Sequence, residues 1–283
     1  MTTHLWHLPT GALTLGRRPL VMGIVNVTPD SFSDGGRYAA AEAAVAHGLE
    51  LVRQGADLLD VGGESTRPGS AAVPPREELE RVLPVVEALA ARAGVPVSVD
   101  TSKAEVARPC LQRGAQIIND VTALGDPDMA AVVRDARAGL VLMHMQGTPA
   151  TMQLDPHYED VVRDVARFFR ERLDRAAAAG IAPGQVVLDP GIGFGKTLEH
   201  NLQLLARLDE FQALGRPLCL GVSRKGFLGK VLGRPVERRL AGSQAAALYA
   251  MSRGAVQVVR AHDVEQTRDA VALFAALSER GRG

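Results

Sequence analysis

Short apolar runs recur along the chain and alternate with longer amphipathic segments. Each run is nearly continuous, which is typical of strands covered on both faces, as in a parallel sheet. The runs lie at residues 20–26, 57–61, 96–100, 116–120, 140–144, 186–189, 217–222 and 256–260. Segments between them, such as 39–54, carry helical spacing, here through Val45, Leu49 and Val52. The pattern predicts eight strands alternating with helices.

Eight such units in 283 residues favour an α/β fold, a (β/α)8 TIM barrel, over an open doubly wound sheet. Residues 1–19 do not continue the repeat, and their TGALTL segment predicts a short N-terminal β-hairpin that plugs the bottom of the barrel. No linker composition marks a second domain, so we predict a single domain over 1–283. The connections 27–38 and 62–75 are long and glycine-rich for βα loops, which indicates functional loops.

The composition argues against several classes of partner. Lysine plus arginine and aspartate plus glutamate number 32 each, so no overall positive charge attracts nucleic acid or an anionic membrane surface. No apolar run approaches the roughly 18 residues that a membrane helix needs. Cys110 and Cys219 lack metal-site spacing, and we interpret them as reduced, buried thiols of a cytoplasmic protein. The positive charges near the N-terminus follow the apolar residues, which is not typical of an export signal.

Polar residues end nearly every apolar run. The chemistry of a TIM barrel lies at the carboxyl ends of its strands, so these residues form the candidate site. They are Asn26, Asp60, Asp100, Asn119, Asp120, His144, Asp189, Ser223, Lys225, Arg260 and His262. A buried carboxylate or amide whose hydrogen bonds are unmet costs about 1–3 kcal/mol, so we expect a ligand rich in N–H groups to satisfy several of them.

The side-chain chemistry predicts a flat, nitrogen-rich ring in this site. Carboxylates accept paired N–H bonds, and an amide both donates and accepts. Asp100, Asn119 and Asp189 are therefore suited to the 2-amino-4-oxo edge of a pterin, and Lys225 to a ring oxygen or nitrogen.

Other strand ends carry groups suited to an anion. Arg260 and His262 supply donors for a phosphate, and Asn26 could hold a metal ion through its carbonyl oxygen. The sequence thus predicts one pocket that holds a heterocycle beside a diphosphate.

These residues lie inside long motifs of a known family. The motifs are NVTPDSFSDGG (26–36), DVGGESTRPG (60–69), SVDTSK (98–103), IINDV (117–121), LMHMQGTPATMQ (142–153), LDPGIGFGKT (188–197), GVSRKGFLG (221–229) and RAHDV (260–264). The sequence resembles the dihydropteroate synthase family, the pterin-binding enzymes of folate biosynthesis that sulfonamide drugs target. The likeness runs in order from about residue 20 to the C-terminus.

The resemblance implies a homodimer that condenses (7,8-dihydropterin-6-yl)methyl diphosphate with 4-aminobenzoate, giving 7,8-dihydropteroate and diphosphate with Mg²⁺. Asn26 matches the metal-linked asparagine. The candidate catalytic residues are Asp34 and Arg67, on two mobile loops, together with Lys225. The substrate-binding residues that it implies are Thr66, Asp100, Asn119, Asp189, Phe194, Ser223, Lys225, Arg260 and His262. Ala261 stands where valine is more usual, and both neighbouring functional side chains remain.

An aromatic amine is a weak nucleophile, and no candidate residue clearly activates it. Ionisation before attack is the easier path because the dihydropterin ring can delocalise positive charge. We therefore expect an SN1-like transfer in which Mg²⁺, Arg260 and His262 stabilise the departing diphosphate. In this hypothesis Asp34 stabilises the cation, and Arg67 steadies the closed loops.

Some polar residues have an alternative, structural interpretation. Asp60, Glu64 and Asp120 are either acceptors for loop N–H groups or direct substrate contacts. We interpret His144 as a hydrogen-bonded histidine at a strand end. The adjacent Met143 and Met145 are assigned to the pocket wall or to core packing.

The segment DPGIGFGKT (189–197) lacks the glycine spacing of a phosphate-binding loop. Its glycines instead predict a tight turn above the barrel that exposes Phe194 to the site. Lys196 is interpreted as a solvated surface charge.

Two other functions remain open at this point. A methyltransferase that binds methyltetrahydrofolate would also read a pterin ring, but SRKG at 223–226 and RAH at 260–262 argue against it. A non-catalytic pterin carrier would hardly need two long loops. Release of diphosphate on mixing the pterin diphosphate with aminobenzoate would distinguish the synthase from the methyltransferase.

Overall fold

The structure is a computed structural model that describes residues 3–16, 18–27 and 36–280. Its strands are β1 (His4–Leu8), β2 (Gly11–Leu15), β3 (Leu20–Asn26), β4 (Leu58–Gly62), β5 (Val97–Asp100), β6 (Ile117–Asp120), β7 (Gly139–Met143), β8 (Val186–Asp189), β9 (Leu218–Gly221) and β10 (Val256–Ala261). Within the described residues, β3 to β10 form a closed parallel barrel in the order β10-β3-β4-β5-β6-β7-β8-β9. The predicted barrel is confirmed.

Helices occupy the connections and cover the barrel. They are α1 (Gly36–Arg53), α2 (Pro75–Arg92), α3 (Ala104–Gln112), α4 (Met129–Ala136), α5 (Val161–Ala178), α6 (Leu198–Ala206), α7 (Gly226–Leu232), α8 (Leu240–Ser252) and α9 (Val264–Arg280). In α5, Asp160 accepts hydrogen bonds from the N–H groups of Val162 (3.0 Å) and Arg163 (3.1 Å), which caps the first turn. Val165 and Phe169, four residues apart, are buried on the same face.

The antiparallel pair β1–β2 is the predicted hairpin, and it closes the end of the barrel where the strands begin. Trp6 of β1 is fully buried, and its indole Nε1 donates to the carbonyl oxygen of Gln185 at 2.8 Å. At Gly139, the first residue of β7, a Cβ would lie 2.6 Å from Leu8 and 2.9 Å from the Trp6 nitrogen. Because the hairpin fills this end, the opposite end is left for a site.

Both cysteines are free and buried, and burial raises the pKa of Cys110 to about 12. None of the helices in the described parts of the chain has the length and apolar character needed to span a membrane.

Candidate active site

The residues that we predicted to bind a pterin meet in one pocket at the carboxyl ends of the strands. The register of the parallel strands brings these residues together. Asp100 lies opposite Asn119 across β5 and β6, and Gly221 lies opposite Arg260 across β9 and β10. The pocket is lined by Asp100, Asn119, Val121, Met143, Asp189, Ile192, Phe194, Gly221, Lys225 and Arg260. Met143 therefore forms part of the pocket wall, which is one of the two roles predicted for it.

Arg260, which lines this pocket, lies between two carboxylates. Its Nε donates to Asp60 Oδ2 at 2.6 Å, and its Nη2 donates to Asp100 Oδ2 at 2.8 Å. Although burial opposes the charge of Arg260, the two carboxylates raise its pKa above the usual value. Burial raises the pKa of Asp100 to about 7, against the opposing effect of Arg260. Arg260, the predicted phosphate donor, thus uses two of its three guanidinium nitrogens to bind carboxylates among the described residues.

Asp189 and Lys225 form a second charged side of the pocket. Asp189 is buried, and its Oδ1 accepts from the N–H of Gly191 at 2.8 Å. Burial raises the pKa of Asp189 and lowers that of Lys225 to about 8, with Asp189 acting in the opposite direction on the lysine. The Lys225 Nζ lies 3.9 Å from the centroid of the Phe194 ring, a cation–π contact. An aromatic ligand beside Phe194 would therefore meet the lysine as well.

The segment 190–197 makes the predicted tight turn, and close approach to the chain after β7 requires its glycines. Gly191 has φ +65°, and a Cβ there would lie 1.9 Å from the His144 carbonyl oxygen. Gly195 has φ +61°, and a Cβ there would lie 2.4 Å from the Gln146 carbonyl oxygen. The turn thus holds Phe194 at the pocket wall.

Lys196 is buried, so its interpretation as a solvated surface charge was wrong. Its Nζ donates to the Phe194 carbonyl oxygen at 2.9 Å and lies 3.0 Å from His144 Nδ1. Burial lowers the pKa of Lys196 to about 7 and that of His144 well below its usual value. His144 is a hydrogen-bonded histidine, as predicted, and the pair joins the Phe194 turn to the end of β7.

The three acidic residues whose role the sequence did not decide have different environments. Asp120 accepts from the N–H groups of Thr122 (2.8 Å) and Leu124 (2.6 Å), so it has the structural role. Glu64 likewise accepts from the N–H of Val73 at 2.9 Å. Asp60 instead contacts the side chains of two pocket residues, Arg260 and Asn119.

A partly buried ion cluster that the motifs did not indicate anchors the loop after β4. Lys103 donates to both Glu64 and Glu78, and Glu78 is fully buried in α2. One signal was present in the sequence, because Glu78 stands four residues before Val82 on the apolar face of that helix. The cluster therefore ties the loop that carries Thr66 and Arg67 to α2 and to the start of α3.

The remaining predicted residues lie outside the pocket lining or outside the described chain. Thr66, Arg67, Ser223 and His262 are described but do not line the pocket. The His262 ring Nδ1 lies 3.1 Å from Ser223 Oγ, and the surrounding protein and the charge of Arg260 lower the pKa of His262. Asp34 lies outside the described residues.

The fit of the site to Mg²⁺ rests on Asn26, which is exposed at the end of β3. Among the described residues, no group of three or more acidic, histidine or cysteine side chains could hold a metal ion. Mg²⁺ commonly takes one or two protein ligands together with substrate phosphates and water. An ion held mainly by a phosphorylated substrate would need no such cluster, and the exposed Asn26 amide oxygen would be available to it as one ligand.

Comparisons with known proteins agree with this geometry. Residues 22–262 match the family model described as pterin binding enzyme. The dihydropteroate synthase of Escherichia coli K12 is 50% identical over 258 residues, which cover 91% of each chain. The Xanthomonas albilineans dihydropteroate synthase structure with 4-aminobenzoic acid is 51% identical, with a TM-score of 0.92 over 98% of this chain and 99% of that one. A structure of the same bacterium's enzyme in complex with 7,8-dihydropteroate is 50% identical, with a TM-score of 0.86 over 94% and 96% of the two chains.

Proposed function

The chain belongs to the dihydropteroate synthase family of pterin-binding enzymes, a family of transferases, and on that premise we propose which reaction its own pocket performs. It joins (7,8-dihydropterin-6-yl)methyl diphosphate to 4-aminobenzoate and yields 7,8-dihydropteroate. The bond between the methylene carbon and the diphosphate oxygen breaks, a carbon–nitrogen bond forms, and the amine loses one proton. The observation that carries the proposal is the convergence of Asp100, Asn119 and Asp189 with Lys225 and Arg260 in one pocket.

The acidic and amide side chains bind the pterin ring. Each of these side chains is buried or half-buried at a strand end, where the N–H groups of the ring donate the hydrogen bonds that its acceptors require. Lys225 donates to the ring from the other side, and its contact with Phe194 supports a 4-aminobenzoate site beside that aromatic ring. Ser223, which neighbours His262, borders the same region.

The transfer is SN1-like in this proposal. The pterin methylene loses diphosphate first because the ring delocalises the resulting positive charge. Arg260 near the end of β10 and His262 directly after it stabilise the leaving group, and Thr66 contributes a hydroxyl from the loop after β4. Bound Mg²⁺, with Asn26 as one ligand, supplies neutralisation of the diphosphate charge.

The two loops act after the pterin diphosphate has bound. Asp34 stabilises the cation, and Arg67, which is exposed, steadies the closed arrangement. We expect Asp34→Ala and Arg67→Ala to lower kcat by at least about 100-fold while pterin binding persists, since charge stabilisation of this kind is worth that much. Unchanged turnover in both variants would remove the loop residues from the proposal.

The experiment that tests the function mixes both substrates with the protein and measures diphosphate release and dihydropteroate formation, with and without Mg²⁺. We expect both products in equal amounts, and a large loss of rate when EDTA removes the ion. A methyltransferase or a pterin carrier would release no diphosphate, so an absence of diphosphate with both substrates present contradicts the proposal.

We also propose a homodimer in the cytoplasm. Exposed apolar side chains are concentrated on consecutive elements from α6 to α9: Leu202, Val231, Leu232, Val236, Tyr249, Leu273 and Leu277. A patch of this kind fits a second copy of the chain. The two free, buried cysteines fit a reducing compartment. Light scattering that gives a monomer mass at micromolar concentration would contradict the dimer.

A further inference from the structure

Within the described chain, the hydrogen-bond partners of the Asp60 carboxylate are side chains that line the pocket. The residue is fully buried, and its Oδ2 accepts from Asn119 Nδ2 at 3.0 Å and from Arg260 Nε at 2.6 Å. Its Oδ1 has no partner in the described chain. Asp120, an equally buried acid two strands away on β6, binds loop N–H groups instead. A purely structural role therefore explains Asp120 and leaves Asp60 without an explanation.

The contact with Asp60 determines which way the Asn119 amide faces. A carboxylate paired with a guanidinium can only accept, so the Asn119 nitrogen must be the atom that points at Asp60. The carbonyl oxygen of the same amide is then directed away from Asp60, and Asn119 lines the pocket. Asn119 is thus presented to a ligand as an acceptor.

We propose that Asp60, itself held by Arg260, is a specificity-determining positioning residue: by fixing the Asn119 amide so that its carbonyl oxygen remains to accept, it makes this side of the pocket select a ring that donates N–H groups. The inference rests on the proposed pterin function and deepens it. Asp189 is oriented in a similar way, because its Oδ1 is held by the N–H of Gly191. Both side chains therefore offer acceptors that a 2-amino group satisfies and a 2-oxo group does not.

The test compares binding of two rings, pterin and lumazine, which carries a 2-oxo group in place of the 2-amino group. Calorimetry gives both dissociation constants for each variant. We expect the unmodified protein to bind pterin at least about 100-fold more tightly, because unpaired buried acceptors reject the 2-oxo ring. In Asp60→Ala the Asn119 amide can turn and donate to the 2-oxo group, so the ratio of the two constants falls by about tenfold.

Asp60→Asn is the conservative rescue. Its amide oxygen can still accept from both Asn119 and Arg260, so we expect the ratio to stay within about threefold of the original. Asp120→Ala removes a buried acid with a loop-holding role; it should lower the thermal stability and leave the ratio unchanged. A structural role for Asp60 would weaken both rings by the same factor.

The outcomes separate this inference from the function on which it rests. An unchanged ratio in Asp60→Ala overturns the inference and leaves pterin binding intact. Binding of neither ring by the unmodified protein overturns the proposed function and the inference together. If Asp60→Ala does not fold, Asp60→Ser takes its place, because a hydroxyl that both donates and accepts does not impose one amide orientation. An unchanged ratio in Asp60→Ser likewise overturns the inference.

Discussion

Lys225 is the pocket residue whose charge gives the clearest dependence on pH. Burial lowers its pKa to about 8, and the proposed role needs the protonated amine as a donor to the ring. The protonated form prevails below that pKa and is lost as the pH rises through it. We expect kcat/KM to fall about tenfold per pH unit above pH 8, measured in initial-rate assays from pH 6 to 10.

The control for this profile is Lys225→Arg. Arginine keeps its proton across the whole range. Lys225→Arg should therefore be slower but show no fall in kcat/KM at alkaline pH. A limb that survives in Lys225→Arg would belong to the substrate ring or to another residue, and the assignment to Lys225 would be wrong.

Individual residues also differ in how well their positions could be predicted from the sequence. Asp100, Asn119 and Asp189 could be predicted because each ends an apolar run, and strand ends meet at one barrel mouth. Lys196 carried no such signal, since glycine and threonine flank it and nothing in the spacing indicates burial. Its hydrogen bonds to the Phe194 carbonyl and to His144 depend on how two loops pack, which periodicity does not encode.

At the scale of elements, the turn 190–197 allows a test that separates backbone strain from steric conflict. Gly191 and Gly215 have nearly the same φ, +65° and +66°. A Cβ on Gly191 would strike the His144 carbonyl oxygen, whereas a Cβ on Gly215 meets nothing within 4 Å. We expect Gly215→Ala to cost about 1–2 kcal/mol of unfolding free energy, and Gly191→Ala at least about 2 kcal/mol more.

The same pair of variants has a functional readout. Movement of the turn displaces Phe194, so Gly191→Ala should raise the KM for 4-aminobenzoate by about tenfold. Gly215→Ala should leave that KM unchanged. If both substitutions lowered the unfolding free energy equally in urea, the turn would tolerate a Cβ at residue 191. The close approach to the His144 carbonyl oxygen would then not determine the conformation of the turn.

The loop after β4 depends on the charge cluster around Lys103. Lys103→Met leaves Glu78 buried and without its counter-ion, which should cost about 3 kcal/mol in urea unfolding at pH 7. The matched control is Arg76→Met, which breaks an exposed pair with Glu80 on the same helix and should cost less than about 1 kcal/mol. Adding Glu78→Gln to Lys103→Met should recover part of the loss, and a further loss would show that Glu78 is stabilised by other means.

Element boundaries were the most predictable part of the fold. The strand at Val186–Asp189 coincides with the predicted run, and the strand at Leu58–Gly62 is displaced from it by one residue. Continuous apolar runs mark such strands well because both faces are covered. The Lys103 cluster was not predicted, because a loop, a helix and a strand end separated along the chain meet only in the folded barrel.

On the scale of the whole molecule, stability and chemistry are placed at opposite ends of the barrel. The hairpin packs into the end where strands begin, through Trp6, Leu8 and Leu15, while the pocket lies at the strand ends. This arrangement is general for the fold. We therefore expect hairpin and barrel to unfold in one transition as a single domain, with little effect of hairpin substitutions on the kinetics of the folded enzyme.

Trp6→Ala tests that separation because it removes a fully buried indole and its hydrogen bond to Gln185. We expect a loss of about 3–5 kcal/mol in unfolding free energy, with kcat and both KM values of the folded fraction unchanged. Leu5→Ala, on the exposed side of the same strand, should change the stability by less than about 0.5 kcal/mol. A raised KM in Trp6→Ala below its unfolding temperature would mean that the barrel transmits packing at its base to the pocket, and stability and chemistry would then not be separable in this chain.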